Sequence, residues 1–254
     1  MSQDLFGERT PDAFATRASI VEVEGQEDVL LPDVHLFYNL FEIPMELALR
    51  RLPTSVHPSI PGMLSVTFWR AAKSAFGAFE LACVGIACRT GIKPRHLMHA
   101  AFVDNEAAAG FLRTRYGFPC RLAAVRQRES YDRIVGTVEC AGRTILEVES
   151  TSLLPIVGGG SFVKVSPALN LAQIGGAPAL LQLEASYEFK RVLRGAPRAT
   201  VFDAEELGDA LVRPAYPVSG THAIVDLTLH PVRYALDLDR PAEQGGVRAL
   251  GRAA

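Results

Sequence analysis

The sequence predicts a β-rich mixed domain, and three observations carry that expectation. Residues 20–31, 121–129, 130–138 and 143–151 alternate apolar and polar side chains with the period of two that half-buried strands require. Helical spacing is confined to short stretches, 44–51, 105–115 and 203–211. With 48% hydrophobic and 21% charged residues over 254 positions, the chain can bury one substantial core, in one domain or two intimately packed lobes.

Taken in order, residues 1–15 are polar and aperiodic, which predicts a loose arm ahead of a domain spanning 16–238. Strands are expected at 20–31 and 34–41, then a short helix at 44–51 that Leu52-Pro53 stops. Pro58, Pro61 and Gly62 make a loop, and 63–70 is a β-rich run containing Val66, Thr67, Phe68 and Trp69. Residues 76–88 and 96–103 read as the next strands. Asp104-Asn105 then supplies a capping side chain for the alanine-rich helix 105–115. Asp132-Arg133 and Ala141-Gly142 mark the bends of an antiparallel meander. Gly158-Gly159-Gly160-Ser161 reads as a flexible connection, because no Gly-Lys-Ser/Thr follows it. Strand, short helix and strand follow at 200–202, 203–211 and 221–229, and the polar stretch 239–254 predicts a disordered tail.

Several function classes drop out on composition. A formal charge of −2, with no Lys/Arg run longer than a pair, offers no electrostatic footprint for nucleic acid or an anionic membrane. Apolar runs such as 81–88 fall far short of the ~18 residues a bilayer span needs. The opening MSQDLFGERT lacks an apolar signal core, so a cytoplasmic location is expected, with Cys83, Cys88, Cys120 and Cys140 reduced. Cys83 and Cys88 read as core residues. His96 and His99, three apart on one strand, should point to opposite faces, so neither metal nor cofactor is expected.

The most informative stretch is Asp104 to Leu122, DNEAAAGFLRTRYGFPCRL. It resembles the active-site segment of the acetoacetate decarboxylase-like family, in which an Asp-Asn-x-x-Ala strand end leads through a helix to an aromatic-Pro-Lys-Lys-Leu turn. Here the turn reads Phe118-Pro119-Cys120-Arg121-Leu122. Residues 162–167, 180–183 and 219–227 resemble the family's second half, which makes Lys164 structural. The resemblance implies an α+β fold, a closed, mostly antiparallel β-barrel with peripheral helices, assembled as a homo-oligomer. It also implies a small-molecule partner. The family's first lysine forms a Schiff base with a keto acid, its pKa lowered by the second cation and an apolar pocket. Cys120 and Arg121 stand at those positions. A thiol cannot form an iminium, and a guanidinium stays protonated.

Carried over residue by residue, the resemblance puts Glu80 at the place of a family acid, with Phe79 beside it and Phe118 in the turn lining the pocket. Ser65 falls where a second acid belongs, and Glu42 where an arginine holds the substrate carboxylate. The implied site therefore has Glu80 as acid or base, Arg121 as the carboxylate or enolate clamp, and Cys120 as a thiol facing the pocket. Three functions remain open. One is acid–base and electrostatic catalysis on a keto-acid or polyketide-like carbonyl compound, in specialised biosynthesis: cyclisation, dehydration, an aldol step or isomerisation. The second is a lyase that recruits another amine, Lys73 being nearest in sequence to Glu80. The third is a non-catalytic binding protein or inactive subunit.

Overall fold

The computed structural model describes residues 5–15, 18–158, 160, 163–207, 212–240 and 247–250. Its strands, in chain order, are β1 (Ser19–Ile20), β2 (Val29–Glu42), β3 (His57–Pro58), β4 (Met63–Ala71), β5 (Phe79–Thr90), β6 (Lys93–Val103), β7 (Cys120–Leu122) and β8 (Ala124–Ser130). There follow β9 (Arg133–Cys140), β10 (Arg143–Pro155), β11 (Ala168–Ile174), β12 (Ala177–Leu183), β13 (Ala185–Phe202), β14 (Tyr216–Leu229), β15 (Tyr234–Asp237) and β16 (Val247–Ala249). The described helices are short: α1 (Asp12–Ala15), α2 (Met45–Arg51) and α3 (Glu106–Tyr116).

The strands form one sheet in the order β16-β15-β12-β11-β6-β5-β4-β2-β14-β13-β10-β9-β8, with β1, β3 and β7 pairing off this path with β11, β5 and β6. This corrects the closed α+β barrel expected from the resemblance. Closure requires the terminal strands to pair with each other, and here β8 bonds only β9 while β16 bonds only β15. The helices are too few to make a second layer, so the fold is mostly β. The sheet instead curls until β8 crosses the face of β4, β5 and β6.

Curling buries both faces, and strand alternation assigns successive residues to opposite cores. Phe37, Phe68, Val84 and Phe102 enter one core together with Val125, Ile134 and Val148 of the overlying β8–β10. Tyr38, Trp69, Cys83 and Ala101 enter the other, beneath α3, β11 and β12. Phe37 and Phe68 stack at 5.9 Å, and a Cβ on Gly136 would stand 2.6 Å from the Phe68 ring.

Helix α3 begins where predicted: Asn105 Oδ1 accepts from the Ala108 amide at 3.0 Å, and its Nδ2 donates to the Phe76 and Ala78 carbonyls. It ends at Gly117, whose φ of 69° a side chain would strain and whose missing Cβ lets β11 approach. That cap aims Phe118 inward and delivers Cys120 to the edge of β6.

Three expectations shift at their boundaries. The segment 20–31 is mostly loop, with β2 starting at Val29, and β13 runs for 18 residues where only its end was expected. The arm is docked at its described part: the Gly7 amide bonds the Val56 carbonyl and Arg9 bridges Pro53. The Gly158–Ser161 connection, the helix over 203–211 and the tail fall partly outside the described residues; within them, 204–207 is a turn and 247–249 pair with β15. No described helix is long and apolar enough to cross a membrane.

Candidate active site

The outer edge of β6 is shared. His96 and Leu97 pair with Ala168 and Leu169 of β11, and Ala101 to Val103 pair with β7. Met98, His99 and Ala100 lie between these pairings, where a register shift also breaks the pairing with β5. A cavity opens beside that interruption, offering about 40 Å³ to the centres of water-sized molecules. Its walls include Thr67, Trp69, His96, Met98, Phe118 and Tyr187, with Cys83 and the segment 165–168 closing it. None of the described lining residues is charged.

Two of the lining residues each carry a buried side-chain nitrogen without a hydrogen-bond partner. One is a donor, Trp69 Nε1; the other is His96 Nδ1. The His96 ring lies over Gly85, where a Cβ would be only 2.6 Å from it, so the sequence makes room for the imidazole by omitting a side chain. Burial pushes the His96 pKa down from 6.5 to about 4, against an opposing hydrogen bond to the Ser166 backbone. With its other nitrogen on a carbonyl, Nδ1 presents a lone pair. Burial likewise raises the Tyr187 phenol above its ordinary range, with Tyr38 and Cys83 adding to the effect. Tyr187 is therefore a persistent O–H donor at neutral pH.

The residues expected from the resemblance separate. Phe118 lines the cavity, packed edge-on to Trp69 at 6.3 Å. Cys120 is buried in the same core, across Ala101 from Cys83, but its thiol is pushed up to about 12 by burial, with Arg113 opposing. Thiolate is scarce at neutral pH. Ser65 is buried near His96 and donates to the Gly85 carbonyl at 3.2 Å; Phe79 is buried in the cavity-side core without reaching the lining. Glu42 lies at the far end of β2, where its backbone carbonyl accepts from Ala215.

Arg121 and Glu80 lie on the other side of the sheet. Adjacent residues on a strand face opposite ways, so burying Cys120 turns Arg121 outward. There its guanidinium covers the Phe102 ring at 4.7 Å and bonds the Glu206 carbonyl. Glu80 is half-buried opposite Arg70, its carboxyl raised by burial, with Arg70 opposing and Asp104 reinforcing. The expected clamp and acid thus do not meet in the cavity. The recruited-amine reading fares no better: Lys73 is exposed beside Asp33 at 3.8 Å, and none of the chain's four lysines lines the cavity.

Around Glu80 runs a charged cluster. Arg70 Nη2 stands 2.9 Å from His35 Nδ1, Arg191 donates to Glu129 Oε1 at 2.5 Å, and His222 Nδ1 lies 3.7 Å from that oxygen. His35, Glu129 and His222 bring one ligand atom each within 4.8 Å of one another, a donor set zinc accepts. Two guanidiniums already hold two of those three groups, so the cluster is neutralised by its own cations.

A curled, mostly antiparallel sheet with a cavity enclosed on one face is the architecture that the sequence family and the solved structures share with this chain. The sequence profile of the acetoacetate decarboxylase (ADC) family matches residues 16–237, and the chain belongs to that family, which includes enzymes. No curated protein matches the sequence. Among solved structures, acetoacetate decarboxylase from Legionella pneumophila is similar at 18% identity and a TM-score of 0.69, over 84% of this chain and 88% of that one. The enduracididine biosynthesis enzyme MppR with HEPES buffer bound gives 17% and 0.68, over 85% and 89%. An acetoacetate decarboxylase-like enzyme from Sphingomonas wittichii RW1 gives 13% and 0.62, over 91% and 95%. At such identities the likeness concerns the fold.

The residues missed by sequence reasoning are Thr67, Trp69, His96 and Tyr187. His96 carried one faint signal: its ring leans over Gly85, which pairs with Met98 two residues along β6, a relation that becomes visible only once the register is known.

Proposed function

We propose that the protein is an enzyme that enolises or rearranges a small carbonyl compound in this cavity by acid–base catalysis, without a lysine Schiff base. The observation that carries the reading is the pairing of an unpartnered donor, Trp69 Nε1, with an unpartnered imidazole nitrogen, His96 Nδ1, in a cavity that no lysine reaches. A carbonyl oxygen accepting from Trp69 and Tyr187 is polarised, and its α-proton becomes more acidic. His96 accepts that proton. A group with a pKa near 4 is a weak base in isolation, but an enolate forming beside it raises that value through opposite charge. Low dielectric inside the cavity strengthens the effect. Carbonyl chemistry has a precedent in the fold: MppR has been solved with pyruvate and with the condensation product of pyruvate and imidazole 4-carboxaldehyde.

Exchange of α-protons for deuterium, followed by NMR on a panel of small ketones and keto esters, tests the reading. We expect exchange above the buffer rate, rising with pH through about 4 as His96 loses its proton and then level to pH 9. His96→Gln and Tyr187→Phe should each lower it by roughly 10²-fold or more. Borohydride with a keto acid should trap no lysine adduct. Ligand-dependent stabilisation without exchange on any member of the panel would establish a binding protein instead.

A further inference from the structure

We propose that the cavity selects an uncharged carbonyl compound, a compact apolar ketone, ester or lactone, and rejects the corresponding free keto acid. This rests on the reading of the cavity as the reaction site and adds the class of molecule that it takes.

The case is one of charge accounting. A carboxylate moved from water into an enclosed apolar site loses its hydration and must recover it from a cation or several aligned donors. Here the wall is Trp69, Met98, Phe118 and Leu183 with Thr67 and Tyr187 among them, and among the described residues no lysine or arginine takes part. The cations nearby are committed elsewhere. Arg113 donates to the Cys120 carbonyl at 2.9 Å, and Arg95 to Gln182 Oε1 at 2.9 Å and the Pro94 carbonyl at 2.7 Å. Arg9 and Arg51 line a separate hollow, and Met98 with the Gly117–Pro119 turn stands between it and the cavity. His96 offers no substitute, since its neutral ring turns a lone pair rather than a positive charge toward the guest.

Donor and acceptor counting agrees. Two of the lining residues, Trp69 and His96, each carry a buried side-chain nitrogen without a partner. A neutral carbonyl compound satisfies both, its oxygen accepting from Trp69 while a polarised C–H or an enol O–H faces His96. A carboxylate presents only acceptors and would set negative charge against the His96 lone pair. The small volume adds that the guest is compact.

The test uses matched pairs, methyl pyruvate against pyruvate and methyl acetoacetate against acetoacetate, with binding measured by calorimetry and thermal shift on the full chain at pH 7.5. The ester of each pair should bind at least 30-fold more tightly than its acid. Ala185→Phe, which fills the cavity from its half-buried rim, should abolish ester binding, and Leu183→Phe serves the same purpose if the first variant fails to fold. An acid that binds as tightly as its ester overturns the proposal. So does ester binding that survives in a folded cavity-filled variant, or no ester binding at 10 mM by the wild type, ~10 mM being the weak end of useful small-ligand affinity. The two readings fail separately. Proton exchange on keto acids at rates equal to their esters sinks the selectivity and leaves the catalysis, whereas tight ester binding without exchange does the reverse.

Discussion

Each face of the central strands buries a histidine with a pKa pushed down to about 4, His96 on one side and His222 on the other, yet their surroundings differ in kind. His222 sits among Arg70, Arg191, Glu129 and His35, a set of charges that largely answer one another. His96 sits in a space bounded by aromatic, aliphatic and hydroxyl groups, beside an unpartnered indole N–H. The charged face resembles an active site by residue type and is committed to its own ion pairs. Both faces bury polar atoms without partners, His222 Nδ1 and Nε2 and Glu80 Oε2 on the charged side among them, but the neutral face sets such atoms beside an enclosed apolar space, which is what a ligand site requires.

Neighbouring residues on β4 give the largest expected contrast. Phe68 is fully buried against Phe37 and Gly136 on the charged side's core, so Phe68→Ala should cost ~3–5 kcal/mol of stability with cavity ligand binding unchanged in the folded fraction. Trp69→Phe, one position along, keeps most of the apolar contact and removes the unpartnered N–H. It should leave the melting temperature nearly unchanged while weakening a neutral carbonyl ligand by roughly 1 kcal/mol, about 5-fold. Chemical denaturation together with calorimetric titration of both variants checks the pair, and equal effects of the two substitutions on binding would break the contrast between faces.

Acid comes next. Both histidines have folded pKa values below the ordinary 6.5, so the unfolded chain binds their protons first as pH falls. Stability is therefore complete above about pH 7 and is lost between 6.5 and 4, by ~3 kcal/mol per histidine at most. Glu80 works the other way, since its raised pKa lets the folded state take up a proton early and offsets part of the loss. Asp33, Asp203 and Asp226 have lowered values, and their contribution disappears only below the ordinary carboxylate range. Urea midpoints measured from pH 7.5 to 4.5 should fall steadily, and His222→Leu should flatten the curve without touching ligand binding. A midpoint that stays level over this range would show that neither ring is held neutral.

Strand alternation explains how much of this was legible in the sequence. The period of two located β8, β9 and β10, β-forming residues located β4, and the Asn105 cap placed the start of α3. The segment carrying Phe118 and Cys120 was found through its resemblance to the family, and the structure sets Phe118 in the cavity wall. Closure of the sheet was not legible, because it depends on whether β8 and β16 meet, two strands far apart in the chain. Nor was the facing of each residue relative to the others. Glu80 is one residue from Leu81 and so one face away from Cys83, and a shift of one position in the register moves a candidate from one core to the other. His96 was read as structural because histidine without a metal partner usually is, and its cavity exists only when β6, β11 and the α3–β7 turn come together.

The smallest effect is the one that sequence resemblance would rank among the largest. Arg121 occupies the place of the family's second lysine, yet its side chain is half exposed, stacked on Phe102 and 3.8 Å from the Glu206 carboxylate. Exposed ion pairs contribute ~0–1 kcal/mol, and a solvated guanidinium over the Phe102 ring adds a similar amount. Arg121→Ala should thus lower stability by about 1 kcal/mol, leave deuterium exchange and ester binding within 2-fold of wild type, and show its effect only at low salt, where surface charge is least screened. A 100-fold loss of exchange in a folded Arg121→Ala protein would place the guanidinium in the reaction after all. It would also erase the distinction between a face that binds and a face that is held together by its own charges.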